Sequence, residues 1–193
     1  MEALGGVLSA FGLAASAGLN AYIPLLILAV VARFTNWIEL SQPWDALTSW
    51  WVIGALAILT LIEFFADKVP AFNHVNDVVQ TFIRPAAGAV LFAASTGTVS
   101  HVEPVVAIIA GVVVAGAVHT VKAAAVRPMV TATTAGAGNA PVSIVEDLIA
   151  MLVSILAILI PVILAAMIIL ITAYIIWWLW RRANAERAAY GAS

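Results

Sequence analysis

Ser143 to Trp180 reads SIVEDLIAMLVSILAILIPVILAAMIILITAYIIWWLW, and beyond Asp147 it holds no Asp, Glu, Lys or Arg. As a single α-helix these 38 residues would extend about 57 Å at 1.5 Å per residue. A bilayer hydrocarbon core is roughly 30 Å thick. The stretch therefore reads as two membrane segments, 143–160 and 162–180, split at Pro161, or as one helix that projects far beyond the bilayer.

The rest of the chain has the same character. Of its 193 residues 64% are hydrophobic and 9% charged, with a mean hydropathy of +1.11. A soluble domain of this size could not cover that much apolar surface, so lipid is the expected solvent. In lipid every backbone polar group must be satisfied within the fold, which leaves helices or closed barrels. The Ala, Leu, Ile and Val runs lack the alternation of barrel strands. The reading is an all-α, polytopic transmembrane helical bundle forming one membrane-embedded domain. Its six apolar segments are 3–33, 50–66, 82–98, 104–125, 143–160 and 162–180.

Two classes of chemistry drop out at once. With no cysteine, disulfides, thiolate metal sites and cysteine nucleophiles are excluded. No basic patch points to nucleic acid. The N-terminus has no Lys or Arg before Arg33, unlike the basic start of a cleaved signal peptide, so the first segment is expected to be retained.

Charge placement orients the bundle, because cytoplasmic loops of membrane proteins are enriched in Lys and Arg. Six crossings with both termini cytoplasmic put Lys68, Arg84, Lys122, Arg127, Arg181, Arg182 and Arg187 inside and only Arg33 outside. The expected location is the cell (inner or plasma) membrane. Trp37, Trp44, Trp50 and Trp51 then fall at the outer interface and Trp177, Trp178 and Trp180 at the inner one, the depth that indole rings prefer.

The first segment is interrupted at Ser16-Ala17-Gly18-Leu19-Asn20, with Pro24 following. Asn is a good N-cap and Pro is tolerated in a first turn, so a half-helix starting near Asn20 would place a helix N-terminus at mid-membrane. The competing reading is one tilted helix whose Gly12, Ser16 and Gly18 admit a close neighbour. Ala107, Gly111, Ala115 and His119 make a small-residue stripe of the same kind. Ala15 to Asn20 is loosely echoed by Val114 to His119, and halves 1–98 and 104–180 with three crossings each would be inverted repeats, common in transporters.

Ionisable groups inside apolar segments are the strongest functional signal, since each costs a few kcal/mol unless it finds a partner or water. Glu63 and Asp67 share one helix face. Asp77, Thr81 and Arg84 follow at helical spacing with His74 and Gly88, His119 and Lys122 are three apart, and Glu146 and Asp147 open the fifth segment. In the six-segment arrangement these groups reach one depth and converge. Arg84 and Lys122, with Asn20 and His119, would bind an anionic substrate. Glu63, Asp67, Glu146 and Asp147 would carry protons or balance charge. The bland reading, charges at helix ends reaching for the headgroups, is preferred for Lys68, Asp77, Arg127 and the tail arginines. His74 and His101 read as loop residues, and His119 as more often a packed core histidine than a ligand. No metal site or cofactor is read, and no catalytic motif is present.

The strings Ala17-Gly18-Leu19-Asn20-Ala21-Tyr22-Ile23-Pro24-Leu25, Glu63-Phe64-Phe65-Ala66-Asp67-Lys68-Val69-Pro70 and Arg84-Pro85-Ala86-Ala87-Gly88-Ala89 carry a resemblance. So do His119-Thr120-Val121-Lys122-Ala123 and Glu146-Asp147. Together they resemble the bacterial integral membrane protein family called domain of unknown function 4126, over nearly the whole chain. The resemblance implies an integral-membrane class and this motif set, without a reaction. Residues 131–141 are more Gly-rich than that pattern.

Three functional classes follow. The first is a small transporter or translocator of an anionic or lipid-linked substrate, with membrane lipids as its surroundings. The second is a non-transporting helical subunit or scaffold, in a homo-oligomer or a larger membrane complex. The third is an intramembrane enzyme. Transport calls for a cavity reaching the charges, a scaffold for a fully paired network with an exposed small-residue face, and an enzyme for a nucleophile or metal beside them.

Overall fold

The computed structural model describes residues 2–68, 70–97 and 102–190. Within them the chain is all-α: α1 (Glu2–Leu19), α2 (Tyr22–Phe34), α3 (Trp50–Ala66), α4 (Pro70–Thr96), α5 (Pro104–Val121), α6 (Arg127–Thr134) and α7 (Asn139–Tyr190). A 3-10 turn covers Trp44–Thr48, and a π-helical segment at Lys122–Val126 joins α5 to α6. Three stretches, Val78–Thr96, Pro104–Thr134 and Asn139–Pro161, are long and apolar enough to cross a membrane. Gly5–Leu19, Tyr22–Phe34 and Trp50–Ala66 are shorter apolar helices.

The break in the first apolar segment is a reversal. Along α1, Gly5 lies against Pro161, the Ser9 hydroxyl donates to the Ala157 carbonyl, and Asn20 reaches Asp147, so α1 runs antiparallel to α7. Phe11 meets Phe92 edge-on at 5.0 Å between ring centroids, and Gly18 abuts Ala115 and Val118 of α5. After Asn20 the chain turns back. Phe34, at the end of α2, packs on Trp50, where α3 starts, and Trp44 packs against the cluster of Ala10, Ala14, Phe92, Ala93 and Ala107. Thus α1 and α2 form a hairpin whose tip is Asn20-Ala21. With 18 residues, α1 carries that tip about 27 Å, most of the way across a hydrocarbon core.

The reversal sets which elements share an end of the bundle. The N-terminus, the 35–49 loop and Gly97 share one end of the bundle, while Asn20, Lys68 and the Lys122–Asn139 connection share the other. Among the described residues the start of α1 and the 126–142 connection lie at opposite ends of the bundle, where the loop charges predict them at one end. The echoed helices α1 and α5 run in the same direction, whereas inverted repeats would oppose them.

Pro161 makes no turn. The helix α7 is continuous over 52 residues, about 78 Å, so the expected split into 143–160 and 162–180 is replaced by the projecting-helix alternative. The residues flanking Pro161 are Ile, Leu, Val and Ala, which have no turn chemistry to offer, and Gly5 leaves room for its ring. Arg181 and Arg182 stack on Trp177 and Trp178 along that extension.

Small residues set the closest contact in the bundle. A Cβ at Gly111 of α5 would run into the Gly88 carbonyl of α4, and one at Gly88 into Ala115 and the Gly111 carbonyl. The stripe Ala107, Gly111, Ala115 and His119 is buried at this seam, as small residues at membrane helix crossings allow. Large apolar side chains such as Val113, Phe82 and Leu152 point outward, the inverse of a soluble fold.

Candidate functional site

The hairpin tip organises the charged end of the bundle. Asn20 Oδ1 accepts from the backbone N–H groups of Tyr22 and Ile23 at 3.1 and 3.0 Å, capping α2. At the other side of the break, the Lys122 ammonium donates to the Leu19 carbonyl at 3.0 Å, where α1 leaves its last carbonyls without helical partners. Asn20 Nδ2 donates to Asp147 Oδ1 at 2.9 Å. The α2 N-terminus, expected to be open to an anion, is therefore filled by the chain's own Asn20, with Asp147 behind it.

All eight residues singled out from the sequence meet here. Arg84 Nη2 donates to Glu63 Oε1 at 3.1 Å, both side chains being essentially inaccessible. Arg84 Nη1 lies 3.1 Å from His119 Nδ1. A guanidinium only donates, so Nδ1 is the acceptor and His119 carries its proton on Nε2, 3.2 Å from the Thr81 hydroxyl. Lys122 pairs with Glu146 Oε2 at 2.8 Å. Asp67 accepts from Asn76, from Ser143 at 3.0 Å and from Arg127 Nη2 at 3.3 Å.

Two cations read as interfacial from the sequence belong to the same cluster. Lys68 donates to Asp147 Oδ2 at 3.2 Å. Arg127, 6% exposed, joins Glu146 at 3.0 Å to Asp67. The four cations Lys68, Arg84, Lys122 and Arg127 thus face the four carboxylates Glu63, Asp67, Glu146 and Asp147. Gln80 and Tyr22 flank the Glu63–Arg84 pair. The side chains of His74 and Asp77, and all of His101, lie outside the described residues.

The hydrogen bonds are less complete than the charges. Glu63 Oε2, Gln80 Oε1, Arg84 Nε, and Arg127 Nε and Nη1 are buried without a hydrogen-bond partner among the described residues. Beside them a groove of 650 Å³ runs between α5 and α7, with Lys122 and Glu146 among its lining residues and Leu19 at its floor. Among the described residues no three His, Asp or Glu side chains stand together as a metal site.

The sequence model of one family matches residues 7–182, nearly the whole chain. The chain belongs to Domain of unknown function (DUF4126). No curated protein and no solved structure matches it. The strings that carried the resemblance are, within DUF4126 as this chain represents it, the strings that build the cluster: Gly18 to Pro24 forms the hairpin tip, Glu63 to Lys68 ends α3, Arg84 sits at mid-α4, and His119 and Lys122 end α5.

Proposed function

We propose that this protein is a small transporter of the cell membrane, a translocator of an anionic or lipid-linked substrate that works through the buried charge cluster. The observation that carries the reading is the mismatch between balanced charges and unpartnered hydrogen-bonding atoms. A network that only locked helices together would use every donor, because each buried polar group left without a partner costs about 1–3 kcal/mol. Among the described residues, Arg84 and Arg127 instead keep N–H groups without protein acceptors.

The scaffold alternative is weakened on its own terms. The small-residue stripe that a scaffold would offer to a neighbour is buried in the α4–α5 seam. In the transport reading Arg84, Lys122 and Arg127 attract the anion. Glu63, Asp67, Glu146 and Asp147 return the cations to balance when it leaves, taking up or releasing protons. The charged end, with Lys68, Lys122 and Arg127, faces the cytoplasm. The hairpin enters from the outer side and returns to it, α3, α4, α5 and the first half of α7 cross, and residues 162–180 supply a further apolar segment of bilayer length.

Reconstitution tests the reading. Vesicles containing the protein and phosphatidic acid with a nitrobenzoxadiazole-labelled chain are treated with dithionite. Transport predicts that inner-leaflet label becomes accessible in a protein-dependent way, and that Arg84→Gln suppresses this. A protected fraction identical to that of protein-free vesicles removes lipid translocation in favour of the scaffold.

A further inference from the structure

We infer that Glu63 is the carboxylate of the cluster that binds and releases a proton, at Oε2 with Gln80 Oε1 accepting its O–H, and that this proton frees Arg84 for an anion. The inference deepens the transport reading and rests on it for the claim that the anion is moved. The four carboxylates are not equivalent. Both oxygens of Asp67 are taken, Oδ1 by Asn76 and Oδ2 by Ser143 and Arg127. So are both of Asp147, Oδ1 by Asn20 and Oδ2 by Lys68. Glu146 gathers Lys122 and Arg127 on one oxygen. A proton on Asp67 or Asp147 would displace a donor, and one on Glu146 would leave two cations around a neutral group. Glu63 differs: Oε1 accepts from Arg84, while Oε2 is buried without a partner among the described residues. A proton can settle there without breaking a bond.

The acceptor that a new O–H requires is in place. Helices α3 and α4 run antiparallel here, since Glu63 meets Arg84 and Asp67 meets Asn76. Gln80 lies one helical turn from Asn76 and one from Arg84, so it faces α3 at a level between Asp67 and Glu63. Its side chain is buried, and its Oε1 has no partner among the described residues. Two buried acceptors on facing helices thus lack a donor, and one proton supplies both.

The groups that face Glu63 are Arg84 of α4, Lys122 of the π segment, Tyr22 of α2 and Asp67 on its own helix, with His119 of α5 behind Arg84. His119 is not the carrier, because its Nδ1 already accepts from Arg84, and a proton there would set an imidazolium 3.1 Å from a guanidinium. Protonating Glu63 takes its pair with Arg84 from neutral to a single positive charge, and a buried cation without a counter-charge is strongly unfavourable. An anion on Arg84 restores the balance. Proton and anion therefore bind together, one of each, and leave together.

Infrared difference spectroscopy of the whole protein in vesicles, recorded as the pH is lowered stepwise, provides the test. A narrow carboxylic acid C=O band, at the high frequency of a buried acid, is expected to appear in the wild type. It should vanish in Glu63→Gln and persist in Asp67→Asn, Glu146→Gln and Asp147→Asn. Carbon-13 labelling of glutamate should shift it, and the same labelling of aspartate should not. Should Glu63→Gln not fold, Gln80→Leu, which leaves every charge in place, is expected to raise the band's frequency because the O–H loses its acceptor. A band that survives Glu63→Gln, follows aspartate labelling or ignores Gln80→Leu overturns the inference, as does the absence of any such band. With labelled phosphatidic acid in the same vesicles, translocation should quicken as pH falls, and Glu63→Gln should translocate at one rate throughout. A Glu63 band without translocation removes transport and leaves the proton site. Translocation with the same pH dependence in the wild type and in Glu63→Gln removes the coupling and leaves transport standing.

Discussion

Lys122 and Arg127 are five residues apart in the chain, yet both donate to the same oxygen, Glu146 Oε2, at 2.8 and 3.0 Å. On a regular α-helix a five-residue step turns a side chain about 140° away from its starting direction. The segment between them is π-helical, and the Arg127 N–H bonds back to the Lys122 carbonyl. That wider turn returns the fifth residue to the starting face, so two cations converge on one buried carboxylate. Lys122 also holds the end of α1, and Arg127 also holds Asp67 after α3. One local irregularity thus ties α1, α3, α5 and α7 together.

Inserting one alanine after Ala124 makes the step from Lys122 to Arg127 six residues, which on a regular helix turns Arg127 about 120° off the Lys122 face and away from Glu146. The insertion is expected to cost about 3–5 kcal/mol, the cost of breaking a buried ion pair. Arg127→Gln should add little in the insertion background. Calorimetry or tryptophan fluorescence in detergent would read this, and an unchanged melting temperature would mean the convergence carries no stability.

The Glu63–Arg84 pair has no solvent to screen it. Glu63→Gln and Arg84→Gln each leave a buried charge without its counter-charge and should each destabilise by about 3–5 kcal/mol. The double substitution should cost clearly less than their sum. Strict additivity in a double-mutant cycle would show that the two side chains are not coupled.

Asn20 performs two jobs, accepting from α2 and donating to Asp147. Asn20→Ala should lose about 0.5–2 kcal/mol for the cap and more for the carboxylate left without its donor. Asn20→Asp keeps an acceptor for the cap but sets a like charge against Asp147. It should unfold at a lower temperature than Asn20→Ser if the Asp147 contact matters; equal melting of the two would assign Asn20 to capping alone.

The hairpin makes a topological prediction that a single first crossing does not. Ser41→Cys and a tag before Met1 should be accessible from the same side of the membrane, and Gly136→Cys only from the other. An impermeant thiol reagent and a protease applied to intact cells would distinguish them. A protease-protected N-terminal tag with a labelled Ser41→Cys would mean that α1 and α2 cross once in line.

The sequence by itself determined the class of the protein and six of the eight charged members of its cluster. The apolar runs admit no solvent but lipid, and in lipid a charge persists only with a partner, so Glu63, Asp67, Arg84, Lys122, Glu146 and Asp147 were legible as a converging set before any helix was placed. The interruption at Gly18 to Asn20 was legible too, because Asn caps and glycine yields. Only the tertiary structure decided that this interruption reverses the chain, since the same cap serves a collinear half-helix equally well and the choice depends on what α2 packs against, here Trp50 and the ends of α3 and α4. Only the tertiary structure admitted Lys68 and Arg127, whose positions at helix ends look interfacial in a linear reading. Arg127 is off the Lys122 face at α-helical spacing and comes onto it only through a π turn, a backbone feature that propensity does not encode and that the demand of Glu146 and Asp67 for a buried cation stabilises from outside the helix.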